Sequence, residues 1–496
     1  MGRDIPVFDA TIEDREQFTD RLYDCLKALK VALETPGFGD GPITLGAEIE
    51  SSIVTDSGKV SPLNKEILLN LNDPQFQHEI NKFNLEHNLS PVSAKGAPFT
   101  KMLKEAEKGM SSAQQVASAY HSHIVLTGIL PTMQKDNFNE NYMTDVGRYH
   151  MLDKELKKMR GEPFKVNING KDPLKMECDH VTLEGANTSF QVHMRIEPGK
   201  FADTFNSVQL VSPLAVALSA NSPIFLGHRL WQETRIALFR QSTDNRHYDE
   251  VNWRQPSRVS YGYGWVRRDA YELFAETVAL YPSIIALLSD EDPFDVLKNN
   301  RLPNLDELKL HMGTTWPWNR VVYSAENEGH LRIELRSLPS GPTIFDMMAN
   351  AAFYIGVTMG LRDEVADILP SIPFRFAEYN FYRAAQSGFD AKILWPFPKQ
   401  AGPAEYPIFD VINSLLPLME KGLEILEIDT AEIKKYKDNI EQRLSARING
   451  ASWQLMMLDK YRKQGLSQQE ACCAMTLKYI EQQKSGRPLS EWKSSP

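Results

Sequence analysis

Two carboxylates, Glu48 and Glu50, stand two residues apart in Gly46-Ala47-Glu48-Ile49-Glu50. Ile43, Leu45, Ala47 and Ile49 alternate with them and Ile53-Val54 extend the apolar run, so the segment reads as a strand with one buried face. Successive side chains of a strand point to opposite faces, which places both acids on the same side, roughly 7 Å apart. Ionised acids held that close repel, and one takes up a proton unless cations neutralise the pair. The chemistry this suits is divalent-metal binding. E-x-E on a solvated sheet face is also common, so the pair gains meaning only from its company.

Three further segments repeat the design. In Asn81–Leu89, Asn84, Glu86 and Asn88 alternate with Phe83, Leu85 and Leu89, and only His87 breaks the apolar side. In Thr188–Ile196, Gln191, His193 and Arg195 oppose Phe190, Val192, Met194 and Ile196. In His330–Arg336, His330, Arg332, Glu334 and Arg336 share one face. The polar side of a half-buried antiparallel sheet ordinarily meets water. Here it is built mostly from Arg, His, Gln, Asn and Glu, with Lys82 the only lysine, which makes it a chemical surface.

The elements that must position these strands are mostly helical. Thr11-Ile12-Glu13-Asp14 is an N-cap followed by acids, and Phe18, Leu22, Cys25, Leu26, Leu29 and Leu33 recur at helical spacing, predicting a helix over 11–34. Further helices are predicted at 98–119, 147–160, 203–217, 229–241, 267–289 and 343–360, with a strand over 121–131 and a hairpin starting at 166–170. Pro396, Pro398 and Pro403 mark a turn-rich passage. Beyond it the text is helical, so residues 1–400 are expected to form the catalytic unit and 401–496 a helical region packed on the same core. Strands of alternating character among helices predict an α+β fold, an antiparallel sheet with one face open as the working surface.

The 496 residues are 42% hydrophobic and 24% charged, ordinary globular values. A net charge of −10 argues against a nucleic-acid surface. No run of eighteen uninterrupted apolar residues predicts a membrane span, and Met1–Pro6 lacks the apolar core of a signal peptide. Cys25, Cys178, Cys472 and Cys473 form no C-x-x-C, so neither a zinc site nor a disulfide scaffold is expected, and a reducing cytoplasm is. No G-x-x-x-x-G-K-[ST] loop occurs, and Gly262 and Gly264 lack a strand–helix context.

With those strands in view, the chain resembles the glutamate–cysteine ligase family and its carboxylate–amine ligase relatives, which have the glutamine-synthetase-like fold. The likeness is carried by Gly46–Glu50, Gly128-Ile129-Leu130-Pro131-Thr132, Thr188–His193, and Asn221-Ser222-Pro223-Ile224-Phe225 followed by Arg229 and Arg235. Ile333-Glu334-Leu335-Arg336 with Pro339-Ser340-Gly341-Pro342 completes the ordered set. The resemblance implies an open, funnel-like site that couples ATP to amide formation through an acyl phosphate, ADP being released. It implies magnesium at Glu48, Glu50, Glu86, Gln191 and Glu334, two or three ions, with manganese an alternative. Many members carry His at the place of Gln191. It also implies that Arg235 serves the acidic substrate and that Arg332 and Arg336 face the phosphates. Glutamate and cysteine are the expected acid and amine, with an oligomer as one form of assembly.

Those residue types fit that chemistry. Phosphoryl transfer is largely positioning and charge neutralisation. Magnesium takes oxygen ligands, and arginine offers a planar fork matched to phosphate or carboxylate. His193 reads as a nucleotide or phosphate contact, or as a hydrogen bond within the sheet. Trp316, Trp318 and Arg320 either line a substrate or adenine pocket or pack on the core. His121 and His123 read as structural. Two other functions share this sheet: phosphoryl transfer to a guanidino acceptor, and nucleotide binding without catalysis.

Overall fold

The computed structural model describes residues 7–246, 256–397, 402 and 404–493. Met1–Pro6, Pro398, Pro403 and the expected 400/401 boundary lie outside them. Eight strands make one antiparallel sheet: β1 (Thr44–Thr55), β2 (Phe76–His78), β3 (Asn84–Asn88), β4 (Val92–Ser93), β5 (Ser122–Val125), β6 (Phe190–Ile196), β7 (Asn319–Ser324) and β8 (His330–Leu335). Their order is β7-β8-β6-β1-β3-β2, with β4 and β5 pairing to opposite ends of the long β1.

Register decides which side chains meet. Glu48 lies opposite Gln191 on one side and Asn88 on the other, Glu50 opposite Glu86, and Glu334 opposite both His193 and Arg320. Because the side-chain period is two, this pairing puts all four polar patterns on one face. The other face, with Leu45, Ile49, Phe190, Val192, Met194 and Ile333 fully buried, belongs to the main hydrophobic core.

Helices complete that core: α1 (Ile12–Leu33), α2 (Pro98–Ser118), α3 (Phe201–Ser219), α4 (Arg235–Ser242) and α5 (Ile344–Leu361). The capping box is present in α1, where Thr11 Oγ1 accepts from Asp14 N at 3.1 Å and Asp14 Oδ2 accepts from Thr11 N at 2.8 Å. Helix α5 is long and apolar enough to cross a membrane, yet 89% of it is buried inside the protein. No purely apolar run announces it, because its first turn holds Asp346, whose N–H donates to the Thr343 cap, and Asn350 receives Arg443 at 2.8 Å.

The C-terminal stretch adds α6 (Ile408–Ile425), α7 (Thr430–Ser445), α8 (Gly450–Lys463) and α9 (Gln468–Lys484). The first two share the main core; α8 and α9 join a second cluster with Val54, Phe83, Val125 and Ile129. At the α5–α6 crossing the backbones touch: a Cβ on Gly422 would lie 1.8 Å from the Gly356 carbonyl oxygen.

Two predicted helices are shorter than expected. Residues 229–234 are not helical: His228–Arg229 pairs with Ile224–Phe225, and α4 begins only at Arg235. Arg229 is drawn away by Asp172 (Nε to Oδ2 2.7 Å) and Asp459 (3.2 Å). The helix predicted over 267–289 spans only Tyr271–Leu280, ending two residues before Pro282.

Candidate active site

The polar face of the sheet gathers metal-type donors into two groups of three. Glu48, His193 and Glu334 form one and Glu50, Glu79 and Glu86 the other, the donor atoms in each lying within 4.8 Å of one another. The first group spans β1, β6 and β8, with His193 Nε2 3.0 Å from Glu48 Oε1. The second joins β1 and β3 to Glu79, just past β2.

Between them runs a chain of hydrogen bonds. Gln191 Nε2 donates to Glu50 Oε1 at 2.8 Å, and Arg336 Nη1 donates to Gln191 Oε1 at 2.5 Å. Ser189 N and Oγ also donate to Glu50, at 2.7 and 2.8 Å. On the far side Arg320 grips Glu334, Nε at 2.9 Å and Nη2 at 2.7 Å to the same oxygen, while Arg336 reaches the other oxygen. Arg320 Nη2 also reaches the other oxygen at 3.0 Å, so the two guanidiniums fill the carboxylate's about four lone-pair positions, and a cation at Glu334 would have to share one of them.

The two groups differ electrostatically. Burial raises the Glu334 carboxyl, but Arg320, Arg336 and His193 together outweigh it and hold the group well below the carboxylate range. In the second group burial and mutual repulsion outweigh the hydrogen bonds from Ser189 and Asn88 and the charge of Arg336. Glu50 is pushed up to about 7 by burial and by Glu86, and Glu79 well above its ordinary value by burial, Glu86 and Glu50. Glu86 is raised by burial and Glu48. Nearby Glu184 rises to about 8 through burial and Glu50. Hard oxygen donors carrying uncompensated negative charge are the chemistry a magnesium ion fits.

The site residues read from the sequence meet here with altered partners. Glu48, Glu50, Glu86 and Glu334 enter the two groups. His193, read as a nucleotide contact or a sheet hydrogen bond, stands among the metal-type donors. Gln191, read as a metal ligand by resemblance, bridges Glu50 and Arg336 through both ends of its amide. Arg235, read as a substrate contact, is 2% exposed and holds protein groups: Glu233 through Nε at 3.1 Å, and the carbonyls of Arg336 and Ser337 through its two Nη atoms at 3.3 and 2.5 Å. That geometry makes it a support for Arg336. Arg332 lies at the rim, 3.4 Å from His330 Nε2. Trp318 is buried beneath the Arg235 guanidinium, 5.3 Å from the ring centroid.

Sequence reasoning missed Glu79, Glu184 and Glu233. For Glu79 a signal exists, since Gln77 and Glu79 alternate with Phe76, His78 and Ile80. Glu184 sits in the short 3₁₀ helix Val181–Ala186, too brief for a periodicity to mark it. Glu233 lies just before the start of α4, which was expected to run through it. Its carboxylate accepts Asn221 N at 2.8 Å as well as Arg235, so it ties the Asn221 loop to the arginine beneath the site.

A second layer reaches the C-terminal helices. Asn221 Nδ2 donates to Ser340 O (2.7 Å) and Tyr479 Oη (2.9 Å), and Tyr479 donates to Leu126 O (2.8 Å). Ser340 Oγ in turn donates to the Glu50 carbonyl at 2.6 Å.

A curled antiparallel sheet whose polar face carries acids and arginines, with helices behind it, defines the glutamine-synthetase-like ligase fold. The chain belongs to glutamate–cysteine ligase family 2, whose profile matches residues 44–406, and so to ligases of the glutamate–cysteine ligase kind. Its fold is similar to that of glutamate–cysteine ligase from Francisella tularensis in complex with AMP: 13% identity, TM-score 0.55, 90% of each chain covered. It is similar too to a bifunctional glutathione synthetase from Pasteurella multocida, at 11% identity and TM-score 0.51. That match covers 92% of this chain and 54% of the other. No curated protein matches the sequence at a significant level.

Proposed function

We propose that this protein is an ATP- and magnesium-dependent ligase that joins the carboxylate of an amino acid, glutamate, to the amine of a second, cysteine. The observation that carries this reading is the convergence of Glu48, His193 and Glu334 with Glu50, Glu79 and Glu86 on one sheet face beside Arg336. In the reaction a carboxylate oxygen of the acid attacks the γ-phosphorus of ATP and ADP leaves. The amine nitrogen then attacks the acyl carbon, phosphate departs, and the nitrogen loses a proton.

The two donor groups would hold magnesium, which when bound neutralises phosphate oxygens. The chain's own residues do the remaining work. Arg336 and Arg332 offer guanidinium N–H groups to phosphoryl oxygens, and Arg320 keeps Glu334 ionised and oriented. Gln191 couples Glu50 to Arg336, so both halves of the face keep one geometry. Removing one such donor costs roughly 10²–10³ in rate.

The test is an ADP-release screen of the purified protein with ATP, magnesium and pairs of amino acids, with mass spectrometry of the products. ADP, phosphate and a new amide support the reading. ADP with a phosphorylated acceptor would replace it with a guanidino-kinase-like phosphotransfer, and binding without turnover would leave a non-catalytic nucleotide protein.

A further inference from the structure

A narrow cavity runs from the second donor group to the base of α4, lined among others by Glu50, Glu79, Glu184, Trp318, Arg235 and Arg336. Its volume of ≈ 30 Å³ admits a group the size of one or two waters. Three polar groups on its lining residues have no hydrogen-bond partner among the described residues. The Trp318 indole N–H and Arg336 Nε are buried donors without acceptors. The Glu184 carboxylate accepts no hydrogen bond from any described residue and lies in no described ion pair, while its backbone carbonyl takes those of Asn187.

A buried polar group left unpaired costs about 1–3 kcal/mol, so two such donors beside the half-buried, unbonded Glu184 carboxylate call for an occupant. Their signs say which kind. Two donors and a carboxyl that an adjacent cation would hold ionised complement a molecule carrying both oxygens and a cation. The cation is not a metal held with the neighbouring acids, because Glu184 stands outside both groups of close-lying donor atoms. An ammonium matches the space and the charge. Of the two substrates, only the one activated at its carboxylate keeps its ammonium protonated throughout, since the attacking amine must be neutral.

Resting on the ligase reading above, we propose that Glu184 is a specificity-determining residue that receives the ammonium group of the acid substrate. It explains why an acid is kept in an already crowded acidic cavity: it selects amino acids over plain dicarboxylates.

The experiment compares glutamate with glutarate, which lacks the ammonium, as acid substrates for the full-length wild type, Glu184→Gln and Glu184→Asp. The wild type is expected to favour glutamate strongly in kcat/KM. Glu184→Gln should narrow that preference at least tenfold through the KM for glutamate, leaving the KM for ATP and the affinity for Mn2+ unchanged. Glu184→Asp should recover part of it. An unchanged preference in an active, folded Glu184→Gln overturns this inference alone, and so does weakened Mn2+ binding, which would make Glu184 a metal ligand. A wild type that forms no amide with any acid overturns the ligase reading and this inference together.

Discussion

Arg320 and Glu334 face each other across the β7–β8 ladder, two guanidinium nitrogens closing on one carboxylate at 2.7–3.0 Å. Neither side chain is free to leave: Glu334 is fully buried and Arg320 keeps 12% of its side-chain exposure. Truncating one member of such a pair strands the other's charge, at about 3–5 kcal/mol. Arg320→Met should therefore lower unfolding free energy by about 3 kcal/mol in a urea titration and also reduce ligase turnover. Glu334→Gln should do the same, since it leaves both Arg320 and Arg336 uncompensated. Near-wild-type stability of both variants would refute the pairing.

The raised acids make a prediction of opposite character. Glu50 at about 7 and Glu184 at about 8 bind protons in the folded protein that the unfolded chain releases near 4.5. The native state thus binds more protons across pH 4.5 to 8, and stability contributed by these groups falls as pH rises through that window. Metal-free protein should melt several degrees lower at pH 8 than at pH 5.5 on their account. Added magnesium should restore more at pH 8 than at pH 5.5. Equal magnesium effects at both pH values, read by calorimetry, would argue against metal at this cluster.

Gly422 tests the helical scaffold. Adding a Cβ there drives it to 1.8 Å from Gly356 O and 2.5 Å from Gly360 N, both backbone atoms that cannot yield without parting α5 and α6. Gly422→Ala should cost about 3 kcal/mol, the upper end of overpacking, and reduce soluble yield. Chemical denaturation with a change below 1 kcal/mol would show the helices are not held at that distance.

Tyr479→Phe probes whether the C-terminal helices steady the site. The hydroxyl links Asn221 to Leu126 O, and Asn221 contacts both Ser340 and Glu233. Its loss should destabilise by about 1 kcal/mol and lower kcat several-fold with KM values unchanged. A pure stability loss with full kcat would confine these helices to scaffolding.

The sheet face was legible before any coordinates because its chemistry is local. Alternation in 46–54, 84–89, 190–196 and 330–336 assigns each side chain to a face, so Glu48, Glu50, Glu86, His193 and Glu334 could be grouped from period alone. The long helices were readable as well, from capping at Thr11 and apolar spacing. Glu184 was not, because its six-residue 3₁₀ helix is too short to show a pattern, and helix α4 was read too long because Asp172 and Asp459 hold Arg229 out of it.

What the residues determined by themselves is the inventory: an acidic and arginine-rich sheet surface backed by helices. Tertiary structure decided the pairing. Register set Glu334 between His193 and Arg320, folding brought Glu79 beside Glu50, and burial turned Arg235 inward to hold Arg336. Each of these depends on which distant strand or loop lies alongside, and sequence order records no distance between residues that meet only when the chain closes on itself.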